Sequence, residues 1–165
     1  MTGKREKIPA KYVLGNPVCF LAFGFGSGLA PKAPGTFGTI MAVPFYLLFA
    51  NLPMPAYLAL IFLLFCLGVW VCGRCEQILN IHDHSGIVWD EFVGLFITLT
   101  GVQASALSVI AGFCLFRLFD IFKPWPISWL DRRVHGGLGI MLDDAVAGVF
   151  AWLSLQILLK FWFTV

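Results

Sequence analysis

Ala56-Tyr57-Leu58-Ala59-Leu60-Ile61-Phe62-Leu63-Leu64-Phe65-Cys66-Leu67-Gly68-Val69-Trp70-Val71-Cys72-Gly73 carries no charged side chain, and its reading decides the fold. As a helix this run reaches roughly 27 Å, close to the ~30 Å hydrocarbon thickness of a bilayer. It is the best spanning candidate in the chain. Just upstream, Asn51-Leu52-Pro53-Met54-Pro55 is turn chemistry, so Thr36 to Ala50 is expected to form an antiparallel partner helix, kinked at Pro44. Downstream, Thr100-Gly101-Val102-Gln103 splits Phe92 to Phe116 into two helices, each short for a bilayer, and Ala145 to Leu159 is the last uncharged stretch. Towards the start, Phe23-Gly24-Phe25-Gly26-Ser27-Gly28-Leu29-Ala30-Pro31 is apolar yet too rich in glycine for a straight helix. The expected fold is all-α: a compact multi-helix membrane bundle with a Gly-rich N-terminal re-entrant or loop segment, residues 1–165 forming a single domain.

Composition agrees. With 59% hydrophobic residues, 12% charged residues and a mean hydropathy of +0.88, the chain is neither disordered nor built as a soluble monomer. The net charge of +2 is too small for a nucleic-acid footprint, so no nucleic-acid partner is expected; the partner is the lipid bilayer, and an oligomer is compatible with so apolar a surface. Five cysteines in apolar surroundings read as reduced core thiols, since Cys72 and Cys75 have no second pair to complete a metal motif. Lys4, Arg5, Lys7 and Lys11 put the N-terminus on the cytoplasmic side under the positive-inside rule. Two crossings then return the chain there at Arg74, and two more return it near Arg117 and Lys123. Multi-pass insertion with the acidic groups facing the cytoplasm follows.

Seven of the nine acidic residues fall between Asp83 and Asp144, beside apolar segments where carboxylates are costly unless paired, protonated or bound to a cation. The doublets Asp90-Glu91 and Asp143-Asp144 are the sharpest case. Each opens an apolar run and is followed within a turn by a glycine, Gly94 or Gly148, that lets another backbone approach. Two such helices packed together gather four carboxylates, and hard oxygen ligands suit magnesium or manganese, so Asp90, Glu91, Asp143 and Asp144 are the expected Mg2+ ligands. The competing account is that each doublet merely caps a helix N-terminus.

Arg117, Asp120 and Lys123 recur at three-residue spacing and share a helix face, which suits an anionic phosphate group. Gly136 and Gly137, in His135-Gly136-Gly137-Leu138-Gly139, offer bare backbone to phosphate just before the second doublet. His82 and His84 are candidate general acids for a leaving alkoxide. The signatures of thiol, haloacid-dehalogenase, histidine and vanadium-haloperoxidase-like phosphatases are absent from the sequence, as is that of the CDP-alcohol phosphotransferases. What remains for an enzyme is a metal-carboxylate phosphohydrolase. The rival from another class is a small cation transporter or channel with buried carboxylates, although Arg117 and Lys123 would repel its cargo.

Gly24-Phe25-Gly26-Ser27-Gly28, Pro34-Gly35-Thr36, Asp83, Ile87-Val88-Trp89-Asp90-Glu91, Phe116 to Pro126 and Gly136 to Gly148 together resemble the bacterial phosphatidylglycerophosphatase A family, over nearly the whole chain. The resemblance implies an all-helical inner-membrane enzyme, dependent on magnesium, that hydrolyses phosphatidylglycerophosphate to phosphatidylglycerol and inorganic phosphate in phospholipid biosynthesis. The resemblance supplies no residue-level mechanism; from the residues themselves, Asp90, Glu91, Asp143 and Asp144 are expected to hold one or two magnesium ions, with Asp83 and Asp120 completing the shell. Arg117 and Lys123 would then neutralise phosphoryl oxygens while water attacks in line. A covalent aspartyl-phosphate is the mechanistic rival.

Overall fold

Proline and small polar residues punctuate the chain into helices. The computed structural model describes residues 8–82 and 84–163, with side chains up to 161; Lys4, Arg5, Lys7 and the candidate Asp83 lie outside the described residues. Within them the structure is all-helical, without a strand. In order come α1 (Ala10–Leu14), α2 (Pro17–Ala22), a 3-10 turn (Ser27–Leu29), α3 (Pro34–Phe49), α4 (Met54–Leu79), α5 (Trp89–Thr98), α6 (Ala106–Phe122), α7 (Ile127–Arg133) and α8 (Gly136–Phe163). Asn16 starts α2 by accepting from the backbone N–H groups of Val18 and Cys19 at 3.0 and 3.3 Å, with Pro17 pre-set at the first helical position. Ser105 and Ser108 cap α6 reciprocally.

Two helices, α4 and α8, are long and apolar enough to cross a membrane. Only 22% of the apolar window of α4 is buried, so Leu58, Phe62, Leu63 and Trp70 face outward, where lipid, and not a soluble core, suits them. Against these stands α5, whose ten residues are too short to span. It is buried almost throughout and packs on α3, α4, α6 and α8. Aromatic rings seal it in: Trp89 stacks on Phe92 at 5.5 Å, and Phe25 and Phe45 close over Phe92. The polar tips of buried aromatic side chains need hydrogen-bond partners, and here they find backbone: Trp89 Nε1 donates to Leu64 O at 3.1 Å and Tyr57 OH to Phe96 O at 2.8 Å.

Three expectations need correction. The helix through Ala56–Gly73 does not stop at Gly73 but runs on to Leu79, carrying Glu76 into the interior, because Asn80 in the left-handed conformation is its first C-cap. Asp143 and Asp144 do not open a helix; they lie inside α8, which begins at Gly136. The glycines read as a loop are its first turn, since a Cβ on Gly137 would sit 2.0 Å from the Val69 carbonyl oxygen of α4, and close packing overrides low helix propensity. The segment 24–28 runs through turns into the 3-10 helix, with Phe25 packed against Phe45 of α3 and Trp89 and Phe92 of α5.

Candidate active site

The two acidic doublets meet because α5 and α8 cross at glycines. A Cβ on Gly148 would lie 2.7 Å from the Gly94 carbonyl oxygen, and one on Gly94 would lie 3.1 Å from the Asp144 carbonyl oxygen. Backbone therefore rests on backbone, the approach that the spacing of Gly94 and Gly148 predicts. Asp90 and Glu91 occupy the first turn of α5, where the helix dipole favours negative charge. Asp143 and Asp144 come in from α8, only 6% and 3% exposed. All four line one cavity of about 430 Å³.

Asp120, Lys123, Asp131, Glu76 and Gly136 also form its wall. Arg117 stands behind the wall: Nη1 donates to Glu91 Oε2 and forms an ion pair with Asp120 Oδ2 at 2.7 Å. Its guanidinium is thus engaged in holding two carboxylates. The Thr39 hydroxyl lies 2.9 Å from both Glu91 Oε2 and the Gly35 carbonyl oxygen, so its single proton serves one of them at a time. Gly35 itself leaves room for the pair, because a Cβ there would meet Glu91 Oε1 at 2.0 Å. Lys123, the C-cap of α6, donates from Nζ to Asp143 Oδ2 at 2.5 Å and Asp131 Oδ1 at 2.6 Å. Burial by itself would lower the Lys123 pKa, but the Asp143 and Asp131 carboxylates outweigh it and hold the amine above the ordinary lysine range.

Charge on the wall does not balance. Glu76, Asp90, Glu91, Asp120, Asp131, Asp143 and Asp144 face Lys123, with Arg117 behind. Among the described residues, Asp90 Oδ1, Asp143 Oδ1 and Asp144 Oδ2 are buried without a hydrogen-bond partner. Buried anionic oxygens left in that state call for a cation. The donor set is hard oxygen, which fits magnesium. Among the described residues no three His, Cys, Asp or Glu side chains cage an ion by themselves, and magnesium does not require a cage, since it keeps several waters and takes one or two carboxylates plus substrate phosphate.

Two candidates are separated by the fold. His82 is on the cavity wall, mostly exposed, with Nδ1 3.6 Å from Glu76 Oε1. His84 is not on that wall; its Nδ1 accepts from the Gly86 N–H at 3.0 Å and its ring stacks on Phe23 at 5.6 Å. Gly136, at φ 71°, reaches the cavity, whereas Gly137 packs on α4 and borders an adjoining pocket. Sequence reasoning missed Glu76, Asp131 and Thr39 as site residues. A carboxylate immediately after a long apolar run was a signal for Glu76; Thr39 had none.

Fold and site together define a class, the all-helical proteins with membrane-length apolar helices and an interior cavity whose carboxylates outnumber its cations. The chain belongs to the phosphatidylglycerophosphatase A family, whose model matches residues 20–159. It is 47% identical over 148 residues to the phosphatidylglycerophosphatase A of Escherichia coli (strain K12), covering 89% of this chain and 86% of the relative. It is 43% identical over 152 residues to the phosphatidylglycerophosphatase A of Haemophilus influenzae, covering 88% and 91%. No solved structure matches the chain.

Proposed function

We propose that this chain hydrolyses the terminal phosphomonoester of phosphatidylglycerophosphate, with magnesium, at the cytoplasmic face of a bacterial inner membrane. The observation that carries the reading is the cavity where both acidic doublets, their unpartnered oxygens and Lys123 come together. Family membership supports the substrate, as both relatives bear the name of that phosphatase. A lipid monophosphate keeps its acyl chains in the bilayer while its headgroup enters the cavity, so no soluble cleft is needed.

Asp90, Asp143 and Asp144, with Glu91 beside them, would hold magnesium, and Asp83 and Asp120 are further candidates. Once bound, the ion supplies positive charge against the oxygens of the transferring phosphoryl group. Lys123 adds a fixed charge on the same wall, where it neutralises phosphoryl oxygens. Arg117 keeps Glu91 and Asp120 in position from behind. An attacking water needs a proton acceptor, and a carboxylate of the cavity wall that does not hold the ion is suited to that role. His82, with Nδ1 turned to Glu76, can hand a proton from Nε2 to the leaving alkoxide. Gly136 offers backbone at the cavity rim. The cation-transport alternative gains no support from the family or from a wall closed by Lys123.

Phosphate release from phosphatidylglycerophosphate by detergent-purified protein tests the reading. Release should require magnesium, stop with a chelator, and fall about 100-fold or more in Asp143→Asn and Asp144→Asn with helicity retained. Absence of release by the wild-type protein with any divalent cation would refute it. Trapping of a phosphoenzyme would replace direct water attack by an aspartyl-phosphate route.

A further inference from the structure

Asp131 stands on the cavity wall, yet the proposed chemistry gives it no part. Among the described residues Lys123 is the one lysine or arginine lining that cavity, so an incoming phosphate has to reach its ammonium group. Two of the three N–H donors there are already taken: Nζ donates to Asp143 Oδ2 at 2.5 Å and to Asp131 Oδ1 at 2.6 Å. Keeping both carboxylates in place while a phosphoryl oxygen joins them would pack three anionic groups around one cation. One of the two has to yield.

Burial distinguishes them. The Asp143 side chain is 8% exposed and its other oxygen is buried without a hydrogen-bond partner, so letting go of Lys123 would leave a buried carboxylate bare. The Asp131 side chain is 38% exposed, and on release water takes over its oxygens at little cost. Its carrier is α7, seven residues long, anchored at its start by the fully buried Ile127 and ending in the exposed Arg132 and Arg133. Lys123 has less freedom: its backbone is fixed as the left-handed C-cap of α6, and Asp143 keeps Nζ on the wall. The group able to move is therefore Asp131.

We propose that Asp131 is a placeholder for the substrate phosphate: its carboxylate holds Lys123 Nζ in the free protein and gives up that position to a phosphoryl oxygen when the ligand enters. Asp131 is thus a positioning residue that acts through Lys123. It also favours turnover in one direction, because the hydroxyl left on the lipid after hydrolysis carries no charge with which to keep Asp131 away. The inference rests on the phosphatase reading for the identity of the ligand as a phosphomonoester.

The test uses methylphosphonate, a phosphomonoester mimic whose carbon–phosphorus bond withstands hydrolysis, with the detergent-purified full chain in magnesium chloride. Calorimetry should show Asp131→Asn binding it about tenfold more tightly than the wild-type protein, since one charge-assisted hydrogen bond no longer has to be given up. Damage to the fold weakens binding, so a gain does not arise that way. A second readout needs no variant: amide hydrogen exchange over residues 130–133 of the wild-type protein should quicken about twofold or more when methylphosphonate binds, because α7 loses its ion pair to Lys123. Repulsion acting through space, with the pair intact, would not loosen α7. Equal or weaker binding by Asp131→Asn, exchange that slows or stays the same on binding, or no binding of methylphosphonate by either protein would overturn the proposal. Because neither readout needs turnover, failure of the phosphatase reading shows separately, as absent phosphate release from phosphatidylglycerophosphate.

Discussion

Gly148→Ala changes no group that touches substrate, yet it should cripple the site. Its Cβ would lie 2.7 Å from the Gly94 carbonyl oxygen, 3.2 Å from Gly94 Cα and 3.2 Å from Ile97 Cβ. Ordinary contact starts at 3.4 Å, so relief requires α5 and α8 to part by about 0.7 Å against backbone that cannot rotate away. These two helices carry the two acidic doublets, and a misplacement near 1 Å costs on the order of 100-fold in rate. Overpacking costs about 1 to 3 kcal/mol, while exchanging glycine for alanine inside a helix returns up to about 1 kcal/mol. Stability should therefore fall modestly, by about 2 kcal/mol or less. The assay pairs phosphate release at saturating magnesium with thermal unfolding of the purified protein. A drop in kcat of about 10- to 100-fold alongside a small shift in unfolding is expected. Wild-type kcat in folded Gly148→Ala would refute the view that this crossing sets the distance between the doublets.

Other perturbations address the remaining parts. Arg117→Met leaves the buried Glu91 and the half-buried Asp120 without their shared cation, so unfolding stability should drop by about 3 kcal/mol, and Glu91→Met added to it should recover part of that loss; denaturant titration reads both. Magnesium at tenfold its dissociation constant should stabilise the protein by about 1.4 kcal/mol, visible as a raised unfolding temperature that is lost in Asp143→Asn with Asp144→Asn. His82→Gln should lower kcat about 100-fold if this residue protonates the leaving group, whereas His84→Gln, which loses a turn contact to Gly86, should leave kcat near wild type; steady-state kinetics separate them.

The sequence by itself determined the all-helical class, the membrane-length apolar run Ala56 to Gly73 and the pairing of the acidic doublets, because hydropathy and the cost of buried charge are local properties of residues and spacing. Glycines one turn after each doublet even indicated the helix crossing. What it left undecided depends on which surfaces touch. Gly136 to Gly139 has the composition of a loop, and only packing of Gly137 on α4 makes it the first turn of α8. His82 and His84 are equivalent candidates in the chain; the stack of His84 on Phe23 and its bond to Gly86 set it apart from the cavity. Arg117 reads from its spacing as a phosphate ligand, yet across 26 residues of chain Glu91 claims its guanidinium. Glu76 became part of the wall because α4 overran its apolar stretch to Leu79. Partner choice among buried charges is a long-range matter: each group takes whatever counter-charge the fold delivers, and sequence spacing fixes only the partners within a turn or two of the same helix.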